Sequence, residues 1–219
     1  MTLEKDELKL IRIEAMARLA AAARRLNDAV VNTNIDNSAI DESICAIDKV
    51  STLLEATPHS GPYSGLFYAG QDYSNPHRAL PLSPIMGDCN PCRPDIQLAL
   101  KEDCVSGRTT LNKRHMGLVG FAHGGITAMI CDQLAALATQ ATGIPCVTAA
   151  LTINYRKPVP LYEELSLHAH CEIVSDKKVK AISTVMLGET ILAESEALMV
   201  RADKIVAKLK ENVSVDESP

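Results

Sequence analysis

The chain has 219 residues, 47% hydrophobic and 22% charged, with no Trp and a net charge of −5. That length supports one sizeable core plus an accessory segment, and the acidic balance argues against a general nucleic-acid binder. No apolar run reaches the ~18 residues of a membrane span, and the charged N-terminus MTLEKDELKLIRIEAMARL lacks the apolar core of a signal peptide. The odd count of seven scattered cysteines suits reduced thiols. A cytoplasmic protein is expected, with no cofactor and with neither nucleic acid nor membrane as partner.

Residues 3–31 read as a helix, with Leu8, Ile11, Ala15, Leu19, Ala22 and Leu26 at helical spacing. A second helical pattern runs from 38 to 55 through Ile40, Ile44, Ile47, Val50 and Leu54, with Asp36 or Ser38 as its cap. Together residues 1–56 predict an antiparallel helical hairpin, an extension for packing or dimer contact. Residues 57–94 hold most of the prolines and predict a long ordered loop that wraps a surface or covers a site. Within that loop Cys89 and Cys92 form a CxxC, and Cys104 and His115 complete no common zinc spacing with it. No metal site is expected there, and Pro91 and Pro94 argue against a redox CxxC at a helix start.

The main domain is expected over 95–202. Residues 96–103 and 108–115 read as strands flanking a turn at Ser106-Gly107. A helix over 124–143 follows, then strands at 146–156, 164–174, 178–187 and 190–201, with turn signals at Ser175-Asp176 and Gly188-Glu189. In 164–174, Leu165, Leu167, Ala169, Cys171 and Ile173 alternate with polar residues. The pattern predicts an α+β fold, an antiparallel sheet wrapped around one long apolar helix. Residues 203–219 predict a charged tail.

Asp132 stands out. It is the one carboxylate between Asp103 and Glu163, inside GGITAMICDQLAALATQATG. A helix apolar nearly all round is expected to be buried. A buried carboxylate is costly unless paired or protonated, and desolvation is expected to raise its pKa. Such residues are usually kept for chemistry; the bland alternative is an Asp that caps a neighbouring loop. Just before the helix stands Phe121-Ala122-His123-Gly124-Gly125. Two glycines at a helix start leave first-turn N–H groups open to a ligand atom, and the helix dipole adds positive potential. An oxyanion hole needs these features; a plain tight turn is the alternative. Gly124 and Asp132 are eight residues apart, ~12 Å along a helix. One carbonyl group cannot touch both in one chain. If both are catalytic, a site shared between two chains follows.

These motifs, with Thr148-Ala149-Ala150-Leu151-Thr152-Ile153-Asn154-Tyr155-Arg156-Lys157-Pro158-Val159-Pro160, resemble the hotdog-fold acyl-CoA thioesterases of the PaaI-like type over roughly residues 80–201. The resemblance implies an acyl-CoA substrate bound at a subunit interface and a homodimer or dimer of dimers. It implies that Gly124 donates its N–H to the thioester oxygen, that Asp132 acts as base or nucleophile, and that Thr148 positions water or Asp132. His123 is expected to polarise the thioester or to hold the turn through backbone bonds, with Gly125 beside it. Arg156 and Lys157 end a strand; they would meet CoA phosphates or remain solvated. His168 and His170 share a strand face without an evident third metal ligand, as an exposed polar face would. Two rival functions are weighed. Gly87-Asp88-Cys89-Asn90-Pro91 resembles the motif of R-specific enoyl-CoA hydratases, with Arg93 where a His is needed. A non-catalytic acyl-CoA-binding hotdog protein is the other, and pure binding does not need a buried carboxylate.

Overall fold

The computed structural model describes residues 2–58, 73–101 and 104–203, with side chains from Leu10 onward. The expectations placed on residues 59–72 and on the tail beyond Asp203 lie outside the described residues.

Six antiparallel strands form one sheet in the order β1-β2-β4-β5-β6-β3. They are β1 (Asp95–Lys101), β2 (Cys104–Thr110), β3 (Cys146–Tyr155), β4 (Glu164–Ser175), β5 (Lys178–Leu187) and β6 (Thr190–Arg201). The sheet wraps one long helix, α4 (Gly124–Gln140), and the result is the α+β hotdog architecture. Alternation sets the inner face. Leu165, Leu167 and Ala169 of β4 and Val179, Ala181, Ser183 and Val185 of β5 are buried, while Glu164, His168 and His170 point outward. Against them α4 sets Ile130, Cys131, Leu134, Leu137 and Ala138. Leu134 is fully enclosed, and truncating such a leucine to alanine costs about 2–5 kcal/mol.

Helix α4 is apolar nearly all round, yet the sheet covers only one side of it. Gly125 and Met129 are exposed and Asp132, Gln133 and Ala136 half-buried. The expectation of a fully buried helix is therefore corrected. β3 closes one edge of the sheet, paired only with β6, and most of its residues are exposed.

The expected turn at Ser106-Gly107 is also corrected. Both residues lie inside β2, where Gly107 pairs with Leu98 on one side and Leu167 on the other. A Cβ on Gly107 would stand 2.3 Å from the Gln97 carbonyl oxygen. The glycine marks a close approach of strands, not a reversal. Lys101 pairs with Cys104, so the connection falls at 102–103, outside the described residues.

At the N-terminus α1 (Thr2–Asn32) and α2 (Asn37–Glu55) form the expected pair of helices. Asp36 is the cap, accepting from the Ala39 N–H at 2.9 Å. Leu19 and Leu26 of α1 and Val50 and Leu54 of α2 line a common apolar cavity of about 350 Å³. α1 buries Ile13 and Ala20, whereas α2 buries nothing. Polar bonds moor α1 to the main domain. Arg24 donates to the carbonyls of Asp88 and Asn90 at 3.2 and 2.8 Å. Asp28 accepts from Asn112 Nδ2 at 2.8 Å and Arg114 Nε at 2.6 Å.

The described part of the Pro-rich stretch is ordered by turns and one short helix, α3 (Pro76–Ala79), which the loop expectation missed. Proline suits the first helical turn because it has no N–H to leave unpaired there. His77 fastens the stretch to the sheet. Its Nδ1 lies 2.6 Å from the Met86 carbonyl, and its Nε2 accepts from the Leu98 N–H at 3.0 Å.

Candidate active site

The start of α4 is built by its own sequence. His123 is the N-cap, in extended conformation, and its Nδ1 accepts the Gly125 N–H at 2.9 Å. An accepting Nδ1 is unprotonated, so the neutral ring carries its proton on Nε2. The His123 N–H is held in turn by the His115 carbonyl at 2.8 Å. His115 is buried within a short 3₁₀ turn (Lys113–His115), and its Nδ1 accepts from the Asn112 N–H at 3.0 Å. Burial, then the nearby Arg114 cation, push the His115 pKa down.

The two glycines differ. A Cβ on Gly125 would meet His123 Nδ1 at 3.0 Å and Cε1 at 3.3 Å; a side chain there would crowd the capping ring. The nearest atoms to a Cβ on Gly124 are those of the Tyr155 ring and hydroxyl, at an ordinary 3.5–3.6 Å. Among the described residues no close contact demands glycine at 124. The Gly125 N–H is spent on the cap, while no described residue accepts the Gly124 N–H. Of the two expected donors, Gly124 is the one left open, at the positive end of the helix dipole.

Two turns further along, Asp132 is half-buried rather than buried. It is also partnered: Thr148 Oγ1, on β3, donates to Asp132 Oδ1 at 2.8 Å. Met199 Sδ lies 3.5 Å from the same hydroxyl. The premise of an isolated carboxylate deep in the core thus fails in the protomer. Asp132 and Thr148 stand on a polar pair beside the exposed sheet edge.

Tyr155, at the far end of β3, was not singled out from the sequence as a site residue. Its hydroxyl donates to the Gly124 carbonyl at 2.9 Å. A strand-end tyrosine gives no signal by spacing, because only the tertiary fold brings it to the helix start.

Other candidates fall elsewhere. Arg156 is paired with Glu194 on the neighbouring strand, its Nε 2.9 Å from Oε1. Lys157 is exposed, with no side-chain partner among the described residues. His168 and His170 lie exposed on the outer face of β4, and no cluster of three potential ligands is present among the described residues. Cys89 is buried with its Sγ 3.4 Å from the Ile13 carbonyl, while Cys92 is exposed. Burial, then Asp88, push the Cys89 thiol pKa up, which disfavours a reactive thiolate. Asp88 faces Arg93 at 3.6 Å in the loop beneath α1.

Residues 119–185 match the family model described as the thioesterase superfamily. Acyl-coenzyme A thioesterase THEM4 of Rattus norvegicus is 30% identical over 89 residues, which cover 40% of this chain and 38% of that protein. Acyl-coenzyme A thioesterase 13 of Homo sapiens is 30% identical over 79 residues, 35% of this chain and 55% of that protein. The chain therefore spans 38% and 55% of the length of these two curated relatives. A crystal structure of a thioesterase superfamily protein superposes with a TM-score of 0.74 at 26% identity, covering 84% of this chain and 90% of that one. The fold is a hotdog, and residues 119–185 are similar to the thioesterase superfamily. That region spans the helix start, Asp132, Thr148 and Tyr155. No helix among the described residues is long and apolar enough to cross a membrane.

Proposed function

We propose that the protein hydrolyses acyl-CoA thioesters to a free acid and CoA, as a thioesterase of the PaaI-like type working as a homodimer or dimer of dimers. One observation carries the reading: a Thr-oriented carboxylate and an open helix-start N–H lie eight residues apart on an incompletely covered helix. The N–H of Gly124 is placed to stabilise negative charge on the thioester oxygen. Asp132 has two routes. As base, it takes a proton from water while the water oxygen attacks the thioester carbon; the C–S bond then breaks, and the thiolate leaves and is protonated. As nucleophile, its own oxygen attacks, CoA departs, and water cleaves the resulting anhydride. In both, the bond from Thr148 fixes Oδ1 and leaves Oδ2 for the reaction.

A regular helix separates the two groups by ~12 Å, too far for one carbonyl group. Two chains with antiparallel α4 helices would bring Gly124 of one chain to Asp132 of the other. The long exposed edge of β3 and the uncovered side of α4 support this, since such an edge calls for a cover. The exposed loop residues Met116, Leu118, Val119 and Phe121 border the helix start and suit an apolar acyl group. Lys157 is the better placed cation for CoA phosphate, because Arg156 is engaged by Glu194.

The test is release of free thiol from a panel of acyl-CoAs by purified protein. Hydrolysis that Asp132→Asn abolishes is the expected result. Tight acyl-CoA binding without thiol release would favour the binding-protein alternative and overturn this one.

A further inference from the structure

The Gly124–Gly125 peptide unit is gripped at both ends. Its carbonyl oxygen, on Gly124, accepts the Tyr155 hydroxyl at 2.9 Å. Its N–H, on Gly125, donates to His123 Nδ1 at 2.9 Å. A peptide unit is planar, so two bonds at opposite ends fix its rotation. The preceding unit, which carries the Gly124 N–H, is held through its own oxygen: the His123 carbonyl accepts from Ile126 N–H at 3.0 Å and Thr127 N–H at 3.4 Å. With both flanking planes fixed, the direction of the Gly124 N–H is set before any ligand arrives.

We infer that Tyr155 is a positioning residue that aims the Gly124 N–H by clamping the following peptide together with His123; the inference rests on the thioesterase reading above. Three features of the geometry support it. The hydroxyl meets a carbonyl at the first turn of α4 and so joins the strand end to the helix start. The Tyr155 ring lies 3.5–3.6 Å from the space beside the Gly124 Cα, so the ring also limits sideways movement of that residue. And the bonds run in one chain, Tyr155 O–H to carbonyl and then N–H to imidazole, in which each bond polarises the next. The preorganised donor is the kind of group that lowers the barrier rather than the binding energy, because it costs no reorganisation when charge develops. The arrangement also assigns different tasks to the two strand residues. Thr148 orients the carboxylate at one end of β3 and Tyr155 the donor at the other. In a two-chain site one strand would therefore serve two different active sites.

The test compares wild type with Tyr155→Phe, which keeps the ring and removes only the hydroxyl. Two readings are taken: amide hydrogen exchange at Gly125, and steady-state thioester hydrolysis. The expected result is faster Gly125 exchange together with a fall in kcat of roughly 2- to 12-fold, the rate equivalent of one ordinary hydrogen bond, and a KM within about twofold of wild type. Tyr155→Leu, which removes the ring as well, should lose more. Unchanged exchange in Tyr155→Phe overturns the clamp, whatever happens to the rate. Faster exchange with unchanged kcat overturns the positioning role and leaves a structural contact. If wild type itself hydrolyses no acyl-CoA, the thioesterase reading fails and so does the catalytic part of this inference. The exchange reading then still decides whether the peptide is clamped.

Discussion

Thr148 Oγ1 lies 2.8 Å from Asp132 Oδ1, and the bond joins the edge strand to the central helix at a place that one protomer leaves open to solvent. A structural hydrogen bond gains little from such exposure. A reactive carboxylate needs it, because substrate and water must reach the free oxygen. Asp132→Asn keeps the size of the side chain and the acceptor for Thr148 but removes the proposed base or nucleophile. It should fold normally and lose on the order of 10²–10⁴ in kcat. Thr148→Val should lower kcat with little change in KM, since it disorients the carboxylate without touching substrate. Wild-type rates from Asp132→Asn would end the catalytic assignment; an unchanged kcat in Thr148→Val would leave Thr148 as an ordinary strand residue.

The glycines at the helix start should separate fold from function. Gly124→Ala places its methyl at ordinary contact distance from Tyr155, and alanine in a helical conformation restricts the unfolded chain. Its thermal midpoint should match or exceed wild type, while its kcat/KM falls because the methyl crowds the space beside the proposed donor N–H. Gly125→Ala pushes against His123 at 3.0 Å and should lower the thermal midpoint. Equal losses of stability in both variants would contradict the different roles read from the geometry.

Most element boundaries were legible in the sequence because burial follows period. β4 alternates cleanly over Leu165, Leu167 and Ala169 with one face on the core, and α4 begins at Gly124, where the helical pattern starts. Gly107 was misread because a glycine in a strand and a glycine in a turn look alike in one dimension. What distinguishes them is the Gln97 carbonyl, ten residues away in the chain. Asp132 and Thr148 were both legible as candidates, but the half-exposure of Asp132 was not. The apolar sequence of α4 exceeds what the sheet covers, and the side left uncovered is the one that the proposed second chain would bury. Tyr155 was missed because its partner is a backbone carbonyl, which leaves no trace in side-chain spacing.

The N-terminal extension should stabilise the turn that leads to the site. Asp28 holds Asn112 and Arg114; Asn112 caps the turn that ends in His115, and the His115 carbonyl holds His123. The Arg114 side chain is only 12% exposed, so Asp28→Ala strands a nearly buried cation. The expected cost is about 1–2 kcal/mol after allowing for the partial exposure of Asp28, read as a lower urea midpoint. No shift in the midpoint would show that α1 does not support the turn.

His115 should make stability fall in mild acid. Burial holds its folded pKa below the ordinary 6.5, so the unfolded chain binds a proton first as pH falls. The stabilising contribution is fully present above ~6.5 and is lost as pH drops below that value, until the folded ring itself is protonated. One proton of difference corresponds to at most about 1.4 kcal/mol for each pH unit. His115→Asn retains an acceptor for the Asn112 N–H and removes the titration. Urea midpoints at pH 8 and pH 5.5 should differ less for this variant than for wild type, with Arg114 and Asp28 unchanged as neighbours. Identical differences would place the acid sensitivity on another group.

The last prediction concerns the two-chain site. If Gly124 of one chain works with Asp132 of the other, two inactive variants should rescue each other. Asp132→Asn lacks the carboxylate. Gly124→Pro lacks the donor N–H at a helix position that tolerates proline, and its folding is checked first by its thermal transition. Two-fold symmetry gives a mixed dimer one site with both lesions and one with neither. Activity should reappear on mixing after subunit exchange, up to about half of wild type per heterodimer by that symmetry count. If both residues instead served one chain's site, every site in the mixed dimer would carry one lesion and the mixture would stay inactive. No recovery from verified heterodimers, or full activity from a proven monomer, would therefore refute the shared site while leaving the Thr148–Asp132 pair intact.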